Sequence, residues 1–471
     1  MHKLQLCPLM TLAFHAAAPD GEWTNDPNAL VHVDGAYRLF VQHQSDAPAS
    51  QATGWARYSS TDLLHWTFDG PVIPAAEQAW AYSGSVLAST GGLEAFHTIH
   101  DSGSGLQRQV RRTSDDAGLT WRPAPLETLD GEPARNARDP YVFQQGSGSG
   151  WSMLLAHPCD WNAGPDDPPS ELVILRSEGR VSWWKVGGIG PWSPRGVLWE
   201  VPVLVQMGEH AVLFVSLVDR RSGGADCSVR AWVGTFDGET FVRSHEWPDA
   251  GELVDLGPDF YAVMASAAGG WPRPKPVFVA WLSSWETARR MDWPGFAGGP
   301  TTLPREISLE RIEGRLRLLH KPAAGLVAAF DTPLPSAPVA GLAEAWFDGS
   351  ASFTLSITSP TVTATISGDP GSGRLSVARD GADWLRWERT HSGVLAKAAR
   401  RGLYIFIDGP CVEIFAEPDG RSLSLALPQG GEPLVATLDV GGAAFPLTWK
   451  AMASSLTALS GEMHRPVRGA V

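Results

Sequence analysis

The chain has 471 residues with 37 Lys+Arg against 51 Asp+Glu, a formal net charge of −14, which argues against a nucleic-acid partner held by a basic face. With 43% hydrophobic and 19% charged residues and no apolar run near the ~18 residues of a span, it reads as globular, long enough for two buried domains, and without a membrane helix. Plentiful Gly (50) and Pro (37) favour short strands joined by turns, and 21 Trp against 6 Tyr supply flat rings for β-rich cores and for stacking on sugars.

The opening stretch, Met1 to Ala18, superficially suggests a secretory leader, but Pro8 interrupts its apolar part, so the cytoplasm is the compartment expected, with secretion as the alternative. Cys7, Cys159, Cys227 and Cys411 are scattered, so neither a structural zinc site nor a disulfide framework is expected. From residue 30 to 320 most segments read as short strands, among them Tyr37-Arg-Leu-Phe-Val-Gln42, Ala211-Val-Leu-Phe-Val-Ser-Leu217 and Pro276-Val-Phe-Val-Ala-Trp281. A weak repeat lies in the turns. Ser60-Thr-Asp62-Leu-Leu-His-Trp66, Ser114-Asp-Asp116-Ala-Gly118-Leu-Thr-Trp121, Ser177-Glu-Gly179-Arg-Val-Ser-Trp183 and Thr235-Phe-Asp237-Gly238-Glu-Thr-Phe241 each set an acidic or Gly turn before an aromatic. A turn recurring about every 54 to 62 residues, once per four-stranded sheet, predicts a five-bladed β-propeller over 1–320; an ordinary β-sandwich is the plainer alternative. Residues 321–343 read as a Pro/Ala-rich linker with room for a short helix, and 344–471 as alternating strands of a β-sandwich. The fold class is therefore all-β.

No phosphate-binding glycine loop, H-E-x-x-H pair or G-x-S-x-G elbow is present, which removes nucleotide, zinc-protease and α/β-hydrolase readings. Three acidic segments remain: Trp23-Thr-Asn25-Asp26-Pro27-Asn28, Asn136-Ala-Arg138-Asp139-Pro140-Tyr141 and Trp199-Glu200-Val201-Pro202. Each sets a carboxylate beside a proline and an aromatic, a neighbourhood that can fix the backbone and raise an acid's pKa, although singly each also suits an ordinary turn or surface acid.

In order and spacing these segments resemble the three acidic motifs of glycoside hydrolase family 32, the β-fructofuranosidases that include invertases, levanases, inulinases and fructan exohydrolases. Phe14-His15, Leu39-Phe-Val-Gln42, Trp55 with Ser60-Thr-Asp62, Tyr82-Ser83-Gly84-Ser85, Asp255-Leu-Gly-Pro-Asp259-Phe-Tyr-Ala262, Thr302-Leu-Pro-Arg-Glu306 and Ile405-Phe-Ile-Asp408-Gly-Pro-Cys-Val-Glu413-Ile-Phe415 look like further landmarks. The resemblance implies a five-bladed propeller plus a sandwich, and an exo-acting retaining hydrolase that removes terminal β-fructosyl units from sucrose, fructo-oligosaccharides or fructans. Asp26 would be the nucleophile, Glu200 the acid/base, and Asp139 the stabiliser of the transition state, oriented by Arg138. Asn25, Gln42, Tyr82 and Ser83 would line the fructosyl pocket, with Trp55 and Trp285 as candidate walls. His15, His32 and His43 are expected in structural or surface roles. No metal or organic cofactor is implied, the partner is a fructose-containing sugar rather than nucleic acid or membrane, and homo-oligomers are possible.

The chain also departs from the family. Val201 stands where a Cys usually follows the acid/base, which should give Glu200 a more apolar setting. The stretch from Ser45 to Ala52 lacks a usual tryptophan, and Ala56-Arg57-Tyr58 replaces Gly-His-Ala, so the leaving-group side is altered. A fructosyltransferase, including one forming a difructose anhydride, would use the same acids. A non-catalytic fructan-binding protein and a sialidase are the readings from further away; the second would need a Tyr nucleophile and an arginine cluster, of which the sequence gives no sign.

Overall fold

A computed structural model describes residues 12–19, 21–45, 52–89, 91–128, 134–145, 150–158, 168–221, 225–266, 271–291, 295, 297–312, 314–428 and 433–452. Residues 1–11 of the leader-like stretch, Cys7 and Cys159 lie outside them, while Cys227 and Cys411 are buried free thiols.

Five sheets follow one another along the first two thirds of the chain. Their first strands are Trp23–Val33, Ala79–Ser89, Arg138–Gln144, Val197–Met207 and Tyr261–Ala265, and each pairs antiparallel with the strand that follows it. These five strands touch in a ring, the last against the first, so the sheets radiate as five blades around a common axis. In the first four blades the recurring turn joins the third strand to the fourth. There Asp62 Oδ1 accepts from the N–H groups of Leu64 and His65 (2.9 and 2.8 Å), Asp116 Oδ1 from Leu119 and Thr120 (3.1 and 3.0 Å), and Asp237 Oδ1 from Glu239 and Thr240 (2.9 and 2.7 Å). In the third blade the Ser177 hydroxyl accepts from Arg180 N–H (2.8 Å). The aromatic after the turn then packs inward, as Trp183 does with no exposure. Gly118 is required in its turn: at φ +85° a Cβ would stand 2.4 Å from Phe40.

Two six-stranded sheets follow, ordered by residues 330–334, 448–452, 340–348, 400–408, 411–417, 421–426 and by 387–391, 374–380, 363–369, 353–358, 435–440, 443–445. Alternate residues such as Phe353, Leu355 and Ile357 enter a shared core with Ile405 and Ile414, which makes the pair a sandwich. The stretch read as a linker carries a 3-10 turn, Val327–Ala329, and the strand Phe330–Leu334, which pairs with Thr448–Met452. Its Pro and Ala residues suit an edge strand as well as a free connection. Among the described residues one α-helix occurs, Trp285–Arg290, and no helix is long and apolar enough to cross a membrane.

Propeller and sandwich meet over a buried polar network. Arg305, fully buried, donates through Nη1 to Asp255 Oδ2 (2.7 Å) and Ser422 Oγ (2.5 Å), and through Nη2 to Ser424 Oγ (2.7 Å) and Glu413 Oε2. His15 bridges Asp408 Oδ2 and Glu413 Oε1, both at 2.9 Å, while the N–H groups of Ala13, Phe14 and His15 also donate to Asp408. His15 thus has the structural role expected of it. Four of the landmark segments, at 14–15, 255–262, 302–306 and 405–415, converge here.

Candidate active site

In a regular strand neighbouring side chains face opposite ways, yet the pairs Asn25/Asp26, Tyr82/Ser83 and Arg138/Asp139 all line one pocket of about 620 Å³. The backbone explains this. Every inner strand breaks register, the first between Thr24 and Pro27 and again between Pro27 and Ala29, the others between Ala81 and Gly84, Arg138 and Tyr141, Glu200 and Val203, and Tyr261 and Met264. At three of these bulges a non-glycine residue takes positive φ: Asp139 (62°), Val201 (46°) and Ala262 (53°). Each bulge re-aims side chains toward the channel mouth, and backbone of this kind persists only where surrounding contacts hold it.

Asp26 is buried and accepts from Ser83 Oγ at 2.9 Å and from Asn25 Nδ2 at 3.1 Å. Gln42 fixes both donors: Oε1 accepts from Asn25 Nδ2 (2.6 Å) and Nε2 donates to Ser83 Oγ (2.7 Å), while Trp23 Nε1 holds Asn25 Oδ1 (3.0 Å). Burial, with the nearby charge of Glu200, pushes Asp26 up to about 6 despite these donors. Asp139 is likewise raised, by burial first and by Glu200, with Arg138 opposing. It is held by the Val201 N–H, which donates to Oδ2 at 3.0 Å, and its own N–H donates to Thr98 Oγ1 (3.1 Å).

Glu200 receives two donors. Arg138 reaches Oε1 through Nη2 (2.8 Å) and Nε (3.2 Å), and Tyr261 O–H donates to Oε2 (2.6 Å). Two expectations change as a result. The guanidinium of Arg138 hydrogen-bonds Glu200 and not Asp139, on which it acts through its charge across the shared pocket. Nor is Glu200 in an apolar setting: Val201 packs into the core beside Trp199, with 3% exposure, and its contribution to the site is its N–H.

Trp285 lines the pocket from the helix and lies edge-on to Trp281 at 5.1 Å, with Arg289 over its ring at 5.4 Å. Trp55 does not line it. That ring is fully buried in the core between the first and second blades, among Val31, Phe40, Ile73 and Val86, with its Nε1 donating to Tyr82 O (3.0 Å). The other walls include Trp23, Trp80 and Arg289, and Tyr82 is stacked on His100 at 4.8 Å with planes 3° apart. Residues 46–51 of the altered leaving-group stretch lie outside the described residues.

A family model, the glycosyl hydrolases family 32 N-terminal domain, matches residues 15–322. The chain belongs to glycoside hydrolase family 32. In curated comparisons this family 32 chain is 26% identical over 353 residues to an extracellular exo-inulinase of Aspergillus niger, and 25% identical over 326 residues to a levanase of Bacillus subtilis. Each alignment covers 65% of this chain but only 63% and 46% of the respective relative, less than two thirds of either. A crystal structure of exo-inulinase from Aspergillus awamori superposes with a TM-score of 0.78 at 20% identity, covering 93% of this chain and 97% of that one, which bears out the propeller-plus-sandwich fold. Tyr261, within the landmark segment 255–262 but not singled out from the sequence, had a usable signal. It follows Glu200 by 61 residues as Glu200 follows Arg138 by 62, the blade period itself.

Proposed function

We propose that the chain is a retaining glycoside hydrolase releasing terminal β-D-fructofuranosyl units from sucrose, fructo-oligosaccharides or fructans through a covalent fructosyl-enzyme. The observation that carries this reading is the convergence of Asp26, Asp139 and Glu200, from three inner strands of a family 32 chain, on one pocket of sugar size. At neutral pH Asp26, with its pKa of about 6, is mainly ionised and attacks the anomeric carbon while Glu200 protonates the departing glycosidic oxygen. The carboxylate left on Glu200 is received by Arg138 and the Tyr261 hydroxyl, which also aim it at the next proton it takes, that of the attacking water. Water then adds to the anomeric carbon, the bond to Asp26 breaks, and fructose departs. Asp139, fixed by the Val201 N–H, binds ring hydroxyls and favours the oxocarbenium-like transition state.

Gln42 serves by locking Asn25 and Ser83 against the nucleophile, and Tyr82, Trp23 and Trp285 provide ring faces for the sugar. In this division residues 1–320 carry the chemistry and 344–471 support, while 321–343 connect the two and already give the sandwich its strand Phe330–Leu334 and the start of Ala340–Asp348. The test is product analysis of wild type and Asp26→Asn on sucrose, an inulin-type oligosaccharide and levan. Free fructose from wild type alone is expected. Longer oligomers or anhydrides would move the assignment to transfer, and no turnover of any of the three would overturn the reading.

A further inference from the structure

Away from the catalytic pocket, a second cavity of about 470 Å³ opens between the fifth blade and the sandwich. The outer strand Arg315–Pro322 alternates: Leu316, Leu318 and His320 face the propeller core, and Arg315, Arg317 and Leu319 face the cavity. Across from them lie the sandwich turns at 370–373 and 393–397, with Lys397, and the pair Asp419 and Arg421.

The charges do not balance. Asp419 is already spent on Arg401 and on the Ala396 N–H (2.7 Å). Glu252 is shared by Arg421 (3.1 Å) and Arg317 (3.8 Å). Neither Arg315 nor Lys397 has an ion-pair partner among the described residues, and Arg421, 6% exposed, keeps a buried Nε without a hydrogen-bond acceptor. Four cations thus line one hollow of a chain whose net charge is −14. Such crowding costs repulsion that a bound anion relieves, and guanidinium forks match phosphate oxygens two at a time. Ile312, Leu319, Val394 and Leu395 add apolar wall, enough for a sugar-sized body.

We propose that this interdomain cavity is a binding site for a phosphate-type dianion, supplied either as free phosphate or as a small phosphate ester. Because its walls come from both domains, the occupant joins them and raises the melting temperature. The test is calorimetric titration and thermal melting of the full chain with inorganic phosphate and with glucose 6-phosphate, against glucose and against sodium chloride at equal ionic strength. Expected is saturable binding of at least one phosphate probe, weakened about tenfold or more in the double variant Arg315→Ser/Lys397→Ser. Both substituted side chains are exposed, so folding and turnover stay as in wild type. Tighter binding of glucose 6-phosphate identifies an ester site, and equal binding a free-ion site. Absence of binding beyond the chloride control, or equal affinity in the double variant, overturns the proposal.

Discussion

The molecule buries two triads of carboxylates, and they behave oppositely. In the pocket, Asp26, Asp139 and Glu200 share the guanidinium of Arg138, a few hydroxyl and amide donors and one backbone N–H, and burial leaves Asp26 and Asp139 with raised proton affinity. Between the domains, Asp255, Asp408 and Glu413 meet Arg305, His15, two serine hydroxyls and a run of backbone N–H groups. There burial would raise Asp255, but Arg305 together with the Ser422 hydroxyl and the Gly257 N–H outweighs it and holds the carboxyl below the usual range. Burial would lower His15, but Asp408 and Glu413 hold it near 9. The same residue types thus make chemistry where donors are scarce and adhesion where they are abundant. The contrast also bears on how the bulges at the pocket are held: the network anchors Arg305 of the fifth blade, which supplies Tyr261 as well.

The comparison can be broken at either end. The largest effect expected is at the proposed nucleophile: Asp26→Asn should lower kcat by about four orders of magnitude or more. The same change should stabilise the fold at alkaline pH. A carboxyl raised from 3.8 to about 6 contributes its full share only below 3.8 and loses it as pH rises through 6, on the order of 3 kcal/mol, and Asn removes that loss. Melting curves at pH 5 and pH 8 check this; a variant less stable than wild type at pH 8 would mean that Asp26 is structural.

Glu200→Ala should cost about 10²- to 10⁴-fold, with a smaller loss on a fructoside bearing a good leaving group, and equal losses on good and poor leaving groups would count against the acid/base role. Arg305→Met should cost about 3–5 kcal/mol in denaturant unfolding, because two buried carboxylates lose their partner, while the folded fraction keeps its KM. An unchanged midpoint would show the network to be dispensable. His15→Gln tests the same interface by pH. With its pKa raised from 6.5 to about 9, wild-type His15 stabilises fully below 6.5 and loses that contribution as pH rises through 9, so the stability gap between wild type and variant should close over this window. The smallest effect expected is at Tyr261→Phe, about tenfold in kcat with little change in melting, since one hydroxyl donor to Glu200 is lost.

The blade turns were legible because they are local. Asp62, Asp116 and Asp237 bond N–H groups two to four residues away, so the spacing of Asp or Gly before an aromatic encodes both turn and period. The acidic segments were legible for a related reason: each is a short contiguous string. The pocket's lining was only partly so. Trp55 and Trp285 read alike as candidate walls, yet one is packed in the core between two blades and the other stands on a short helix that lines the pocket. The partners of Glu200 depended on bulges that alternation does not foretell.

By itself the sequence determined the architecture, a five-bladed propeller followed by a sandwich, and the strings that contain Asp26, Asp139 and Glu200, because periodic turns and short motifs are written within a few residues of one another. Only the tertiary structure decided that Arg138 and Tyr261 hold Glu200, that Val201 serves through its N–H, and that His15 bonds Asp408 and Glu413 from nearly 400 residues away. Which donor meets which buried carboxylate depends on where bulged strands and packed domains bring them, and hydrogen bonds act only over contact distances however far apart in the chain the partners lie.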